Sequence, residues 1–176
     1  SLKKAVENEP ARLSLKYRMA LLYEKSGDNN SAQKIYDEIS SFKDNTIYNN
    51  IRNEAIIRVA LKKIRNMEFS EALSRLEHGL GFGYDPALFF LKVKCEFEMK
   101  DYNKAYENIR ILSSAENDDI LVRHLQADIL FNMNSKQKAL EDYKFMLENL
   151  DKARLSRFND MKIINVRKEE IYLNIA

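Results

Sequence analysis

Apolar and polar residues alternate along this chain with the period of an α-helix. The clearest stretch runs from Tyr17 to Tyr36. Ala20 and Tyr23 follow Tyr17 at intervals of three residues, and Tyr36 follows Ala32 at an interval of four. Residues three and four apart share one face of a helix, so an apolar stripe faces a packing partner. A short polar stretch interrupts the pattern before Ala32. The pattern therefore predicts two helices joined by a turn.

The same helix, turn, helix pattern occurs four times and is marked by an alanine in each copy. The alanines recur about every 35 residues, a spacing typical of arrays built from helical repeats. The first of the three intervals is the longest, and a large side chain follows each alanine four positions later. The alanines and the residues that follow them are Ala32 with Tyr36, Ala72 with Leu76, Ala105 with Ile109, and Ala139 with Tyr143.

Three of the turns contain residues suited to ending one helix and starting the next. In the first, Gly27 is expected to take the left-handed conformation that closes a helix, and Asp28 to cap the next one. Lys100-Asp101 and Asn134-Ser135 occupy the corresponding places in the third and fourth copies, where asparagine tolerates the left-handed conformation and lysine adopts it less readily.

The run ALLYEKSGDNNSAQKIYDEI resembles the tetratricopeptide repeat, a unit of about 34 residues in which small residues lie where two antiparallel helices touch. The resemblance implies an all-α fold, an α-α superhelix that forms a right-handed solenoid of antiparallel helix pairs. It also implies a non-catalytic protein-protein interaction scaffold, which binds a partner peptide or helix in its concave groove, as part of a larger assembly.

The resemblance also divides the chain, which we expect to be one solenoid over 1–176 and a fragment of a longer protein. A partial repeat at 1–9, with Leu2 and Ala5 on its buried face, would precede the four repeats. The surplus residues of the first interval are assigned mainly to an extended first helix in the second repeat. The repeats are expected at 11–42, 46–80, 85–115 and 118–150, and a C-terminal helix or the start of a further repeat at 153–176.

Composition narrows the possible classes of protein. Of 176 residues 45% are apolar, enough for a real core, while only 4 Gly and 2 Pro occur, which favours long helices with brief connections. No apolar run approaches the length of a membrane span, so a membrane would be reached only through segments not shown. The single cysteine, Cys95, fits a reducing, cytoplasmic compartment, although a periplasmic or membrane-tethered location stays open.

Residues that could carry catalysis are few. His78 and His124 fall in different repeats, outside any spacing that would present two nitrogens to zinc, and both are expected at the surface. Cys95 lies in a strongly apolar helix, where a buried, inert thiol is the ordinary case. Glycines at 79, 81 and 83 do not have dinucleotide-binding spacing; we interpret this stretch as a helix end followed by an Asp85 cap. We therefore expect no enzyme activity, no cofactor and no metal.

The first helix of each repeat is expected to line the concave groove. Tyr17 and Leu21 stand where a carboxylate clamp for chaperone tails would need its Lys and Asn, so no such clamp is predicted. The lining is mostly apolar and aromatic, which favours an amphipathic helix or an apolar peptide over a charged tail. The alternative is that these side chains are simply core. The candidate residues are Tyr17, Leu21, Ile57, Leu61, Ile64, Phe90, Phe97, His124 and Phe131.

Arg58, Lys62 and Arg65 form a basic stripe on the second repeat, where they would orient a partner through rim charges. A nucleic-acid footprint would look similar, but the net charge of +2 shows no bias of the whole chain, so an acidic protein segment is the favoured ligand. Self-assembly into a homo-oligomer through the edges at 2–5 and 155–176 is the remaining alternative.

Overall fold

The computed structural model describes residues 9–42, 49–116, 119–150 and 156–161. Within these ranges the chain forms helices and no strand, as the sequence predicts. The helices are α1 (Glu9–Lys25), α2 (Asn29–Ser40), α3 (Asn49–Arg65), α4 (Phe69–Leu80), α5 (Pro86–Glu98), α6 (Tyr102–Ala115), α7 (Ile120–Asn132), α8 (Lys136–Glu148) and a 3-10 turn (Asn159–Met161).

The chain divides into two compact units. Unit 1 is Ser1–Leu88 and unit 2 is Phe89–Ala176. In unit 1, α1 packs against α2, α2 against α3 and α3 against α4, and α1 also reaches α3. In unit 2, α6 packs against α7 and α7 against α8. Within each unit these contacts thus join chiefly helices that are neighbours along the chain, as expected for stacked helix pairs.

The four alanines that mark the repeat are all buried. Ala32 is 2% exposed, Ala72 and Ala105 are not exposed, and Ala139 is 1% exposed. A methyl side chain lets two helices approach closely at these positions, because nothing larger has to be accommodated between them. The prediction that these alanines lie at helix contacts is therefore confirmed.

The turns inside the helix pairs share one backbone conformation. Gly27 has a φ of 85°, and Met67, Lys100 and Asn134 have φ of 62°, 63° and 62°. Each of these residues stands five positions before a repeat alanine. The next amide then donates to a carbonyl five positions back, which closes the first helix in the Schellman manner. These bonds join Asp28 to Tyr23, Glu68 to Lys63, Asp101 to Glu96 and Ser135 to Leu130, at 2.9–3.0 Å.

Replacing Lys100 with glycine is expected to stabilise the protein. A side chain in the left-handed region costs about 1–2 kcal/mol, and glycine gives back about 0.5–1 kcal/mol through the greater entropy of the unfolded chain. We expect the free energy of unfolding to rise by about 0.5–1 kcal/mol, measured by thermal and urea unfolding. Gly27→Ala, the reverse change in an equivalent turn, should lower it. If Lys100→Gly left the free energy of unfolding unchanged, this account would be contradicted.

Aspartates open four of the helices. The side chain of Asp28 accepts from the amide of Ser31 at 3.0 Å, and Asp101 from that of Lys104 at 3.4 Å. Asp85 accepts from two amides of α5 at 2.9 and 3.1 Å, and Asp119 from two of α7 at 2.9 and 3.3 Å. These bonds satisfy amides that a helix start leaves without partners. The predicted caps at Asp28 and Asp85 are confirmed.

The glycine-rich stretch that begins at Gly79, in the last turn of α4, is held against α3. A Cβ on Gly79 would lie 2.8 Å from Leu88 Cδ1 and 2.9 Å from Ile56 Cδ1, so a larger residue here would require the ends of both side chains to shift. The guanidinium of the buried Arg52 lies 3.7 Å from the centre of the Phe82 ring. These contacts give the stretch a structural role within unit 1.

Some predicted segments lie outside the described residues. These are the partial repeat before Glu9, most of the 153–176 segment and the edges proposed for self-assembly. The surplus residues assigned to the first helix of the second repeat, between Ser41 and Asn50, also lie mostly outside them, since 43–48 are not described and α3 is described from Asn49. Of the last segment, residues 156–161 form a turn and the 3-10 turn. In the described ranges no helix combines the length and the apolar character that crossing a bilayer would require.

Candidate partner-binding surfaces

The face shared by α1 and α3 in unit 1 contains a polar and aromatic group, named the Arg58 cluster: Tyr17, Glu24, Tyr36 and Arg58. Arg58 Nη1 lies 3.1 and 3.3 Å from the two carboxylate oxygens of Glu24. The Tyr36 hydroxyl donates to Glu24 Oε2 at 2.9 Å. The rings of Tyr17 and Tyr36 are 5.9 Å apart. One carboxylate therefore ties three helices together at this surface.

The tyrosines of the Arg58 cluster stay protonated. Burial raises the pKa of Tyr17, and the negative charge of Glu54 adds to this effect. Burial also raises the pKa of Tyr36, helped by the hydrogen bond that its hydroxyl makes to Glu24. Both side chains are thus hydrogen-bond donors at neutral pH. The Arg58 side chain keeps 39% of its surface exposed, although Glu24 already neutralises part of its charge.

The other candidate residues of unit 1 surround the Arg58 cluster. Leu21 is half-buried, one turn beyond Tyr17 on α1, while Lys62 and Arg65 are exposed on α3. This face therefore combines the ion pair of Arg58 and Glu24 with the partly exposed apolar side chain of Leu21, and it carries positive charge toward the C-terminal end of α3. Three further candidates on α3 retain little exposed surface: Ile57 at 9%, Leu61 at 7% and Ile64 at 8%.

The candidates in unit 2 differ in exposure. Phe90 is not exposed and stacks on Phe158 with 4.4 Å between ring centres. Phe97 is half-buried, with its ring centre 5.8 Å from that of Tyr102. Phe131 is 37% exposed. Phe90 therefore packs in the core of this unit, whereas Phe131 offers surface to a partner.

The expectation that both histidines are surface residues is wrong for His124. His78 is exposed, but His124 is only 9% exposed, and its Nδ1 lies 3.2 Å from Asp128 Oδ2 one turn later on α7. The hydroxyl of Tyr143 donates to the other oxygen of Asp128 at 2.8 Å. The apolar surroundings of α7 bury the His124 imidazole, and this burial could not be predicted from the polarity of histidine alone.

A polar network between α7 and α8 was not predicted from the sequence. Asp142 is 4% exposed and accepts from Arg123 Nη1 at 2.7 Å and Gln126 Nε2 at 2.9 Å. Gln126 also bonds to Ser113 on α6. The sequence does hold one signal for this network. Asp142 stands three positions after the repeat alanine Ala139, on the buried side of α8, where a carboxylate needs hydrogen-bond partners.

Two titratable groups are buried on α5. Burial raises the pKa of Cys95 to about 12, so its side chain is an inert thiol at neutral pH, as predicted. Glu96 is 1% exposed, and its two oxygens accept from Asn108 Nδ2 at 2.9 and 2.8 Å. Burial raises the pKa of Glu96, against the opposing effects of Asn108 and Lys92.

Replacing Glu96 with glutamine should change how stability depends on pH. Because the folded-state pKa is raised, the folded chain takes up this proton at a higher pH than the unfolded chain, whose glutamate has a pKa of about 4.3. The wild-type protein should therefore lose stability as pH rises from about 4.3 through the raised value. Urea unfolding across this range should show that the stability of a Glu96→Gln variant increases relative to that of the wild-type protein as pH rises. A difference in stability between the two proteins that does not change across this range would contradict the prediction.

The described residues contain no group of three or more His, Cys, Asp or Glu side chains arranged to hold a metal ion. The exposed His78 instead contacts the edge of the Phe82 ring, with 5.1 Å between ring centres. The surfaces described above therefore offer shape, apolar contact and charge.

Comparisons with known proteins identify the fold. No family model and no curated protein matches this sequence. Solved structures of MamA do match. MamA from Desulfovibrio magneticus RS-1, from its residue 41 to the end, has a TM-score of 0.65 at 11% identity, with 93% of this chain and 92% of that chain covered. A MamA mutant gives 0.60 at 10% identity, covering 96% and 98%, and MamA MSR-1 gives 0.58 at 11%, covering 94% and 99%. The chain therefore has the all-α, tetratricopeptide-like fold of the MamA structures, built from divergent repeats of antiparallel helix pairs.

Proposed function

We propose that this protein is a non-catalytic scaffold that binds a segment of another protein on the α1 and α3 face of unit 1. The observation that carries the proposal is the Arg58 cluster together with its surroundings. Glu24 holds Arg58 in place before any partner arrives, and the Tyr17 ring packs beside the buried Tyr36 ring, so little side-chain entropy is lost on binding. Tyrosine and arginine are the residue types that most often dominate binding energy at protein interfaces.

The chemistry of this face favours a partner segment that is mainly apolar and carries an acidic end. Tyr17 and Leu21 offer apolar contact, while the exposed Lys62 and Arg65 would attract carboxylates and set the orientation of the segment. The partner would be a peptide or helix supplied by a larger assembly. Nucleic acid is less favoured, since Glu24 and Glu54 lie beside Arg58 on the same face and would repel phosphates.

Selection of peptides by the full chain would test this proposal. We expect a random peptide library to yield sequences that combine apolar residues with Asp or Glu. Their affinity, measured by fluorescence anisotropy, should fall tenfold or more with Leu21→Ser and with Lys62→Glu. Ile111 is 54% exposed on α6, so Ile111→Ser supplies a control that should leave affinity unchanged.

Far-ultraviolet circular dichroism should show unchanged helicity in all three variants, since none of these residues is fully buried. Failure of the selected peptides to converge would refute the proposal. So would an affinity that is indifferent to both Leu21 and Lys62. An affinity that falls steeply with salt for single-stranded nucleic acid, and not for peptides, would favour nucleic-acid binding instead.

A further inference from the structure

Residues 156–161, which we name the strap, are attached to unit 2 through side chains. The hydroxyl of Ser156 donates to Asp119 Oδ1 at 2.8 Å, and Asp119 stands at the start of α7. Arg157 Nη1 lies 2.6 Å from Glu116 Oε1, and Glu116 stands at the end of α6. Two acidic side chains in the connection between α6 and α7 therefore hold the first two residues of the strap.

The third residue of the strap reaches α5. The Phe158 side chain is 1% exposed, and its ring stacks on the Phe90 ring with 4.4 Å between centres. The guanidinium of Arg157 also lies 5.8 Å from the centre of the Phe158 ring. Phe158 is thus packed against an aromatic ring and beside a cation, the two kinds of group that attract an aromatic side chain specifically.

The spacing of the repeats shows that the strap does not continue the array. Phe158 stands 34 positions after His124, and His124 stands 34 positions after Phe90. In a continued array Phe158 would lie two repeats beyond α5, about 16–20 Å away, because packed helices are about 8–10 Å apart. The stacked rings instead bring the strap back to α5. It covers Phe90, a residue that the sequence assigns to the lining of the partner groove.

The main-chain hydrogen bonds described for the strap lie within it. The amide of Phe158 donates to the hydroxyl of Ser156 at 3.1 Å. The amide of Asn159 donates to the carbonyl of Ser156 at 3.1 Å, and that of Met161 to the carbonyl of Phe158 at 3.2 Å. The strap is therefore a self-contained turn that presents three consecutive side chains to the helices, as a bound peptide does.

We infer that Phe90, Glu116 and Asp119 form a binding site in unit 2 for a partner segment in which a hydroxyl residue, a basic residue and an aromatic residue follow one another. The strap is the intramolecular occupant of this site. A partner has to displace it, and a segment of the same chain competes at an effective concentration of about millimolar. The site is distinct from the α1 and α3 face of the proposed function and selects the opposite charge.

Other occupants fit this site less well. The strap of a second copy would make only the contacts that the chain's own strap already makes, so exchange gains nothing and loses the freedom of two separate molecules. An acidic segment would be repelled by Glu116 and Asp119. A basic and aromatic partner segment satisfies both carboxylates, and residues beyond the three can add the contacts that displace the strap.

Binding of a fluorescent peptide that copies residues 156–161 to the full chain tests the inference. In the wild-type protein the strap competes, so we expect weak binding by fluorescence anisotropy. The double change Ser156→Ala and Arg157→Glu removes a hydrogen bond and places two glutamates together, which should release the strap and raise the affinity for the peptide tenfold or more. Phe158→Ala should raise it too. If Phe158→Ala does not fold, the double variant still decides, because Ser156 is half-buried and Arg157 exposed.

Matched changes separate this site from other effects. Ser114→Ala with Arg110→Glu repeats the double change on exposed residues of α6 and should leave the affinity at the wild-type value. For the chain with the released strap, a peptide with glutamate in place of its arginine, or alanine in place of its phenylalanine, should bind tenfold or more weakly. Leu21→Ser and Lys62→Glu should leave peptide binding unchanged, so a failure of the proposed function would not affect this result.

Three results would overturn the inference. One is a double variant that keeps its helicity by circular dichroism and binds the peptide no better than wild type, which would make the strap a fixed part of the fold. Another is peptide binding that does not weaken when the phenylalanine of the peptide is replaced by alanine. The third is a wild-type dimer, seen by sedimentation, that the double variant abolishes, which would assign the site to the strap of a second copy.

Discussion

Replacing Phe90 with alanine is expected to lower the free energy of unfolding by about 3–5 kcal/mol, the usual cost of removing a fully buried aromatic ring. Phe90 has no exposed surface, and its ring stacks on that of Phe158 at 4.4 Å with 11° between their planes. The loss combines the lost burial of the ring with the cavity that remains, because neighbouring side chains relax only in part. Urea unfolding followed by circular dichroism measures it.

Phe131→Ala supplies a matched control in unit 2. Phe131 is 37% exposed, so its truncation should cost much less than that of Phe90. Phe90→Ala combined with Phe158→Ala should cost less than the sum of the two single changes, since each ring buries the other. A loss below about 1 kcal/mol for Phe90→Ala would contradict its place in the core.

Replacing Asp142 with alanine is expected to cost about 2–3 kcal/mol of stability. Asp142 is nearly fully buried and accepts from both Arg123 and Gln126, so its removal takes one acceptor from each of two partly buried donors. The cost lies below that of a wholly buried ion pair because the Arg123 side chain keeps 25% of its surface exposed.

Asp37 provides the comparison, again by urea unfolding. It pairs with Arg75 at 3.8 Å, and both side chains are more than 40% exposed. Asp37→Ala should therefore change the free energy of unfolding by less than about 1 kcal/mol. Equal effects of the two substitutions would mean that the network around Asp142 adds nothing beyond an ordinary surface ion pair.

Local signals sufficed to predict the fold. Ala32 and its counterparts lie at helix contacts, and the turn at Gly27 has the predicted conformation, because both depend on spacing within one repeat. Those signals act between residues close in sequence, where helix geometry fixes which side chains share a face. Aspartate caps such as Asp85 were predictable for the same reason.

The surfaces were less predictable because exposure depends on neighbouring helices. Phe90 and Phe97 share one helix and one residue type, yet the first is fully buried and the second half-exposed. Arg58 was predicted as a rim charge, but its pairing with Glu24, far away in the sequence, needs the packing of α1 on α3. The burial of His124 follows likewise from the helices around it.

The four turns that close the first helices share one shape although the residues at their left-handed position differ. Their shape is maintained by main-chain hydrogen bonds, and only the first of them has glycine at the left-handed position. Once those bonds hold the chain, lysine, methionine and asparagine are tolerated at a modest energetic cost, and selection can exchange them freely. Homologues should therefore vary widely at these sites while conserving the alanine five positions later, so a profile weighted on that alanine would recognise distant members that a glycine-based one passes over.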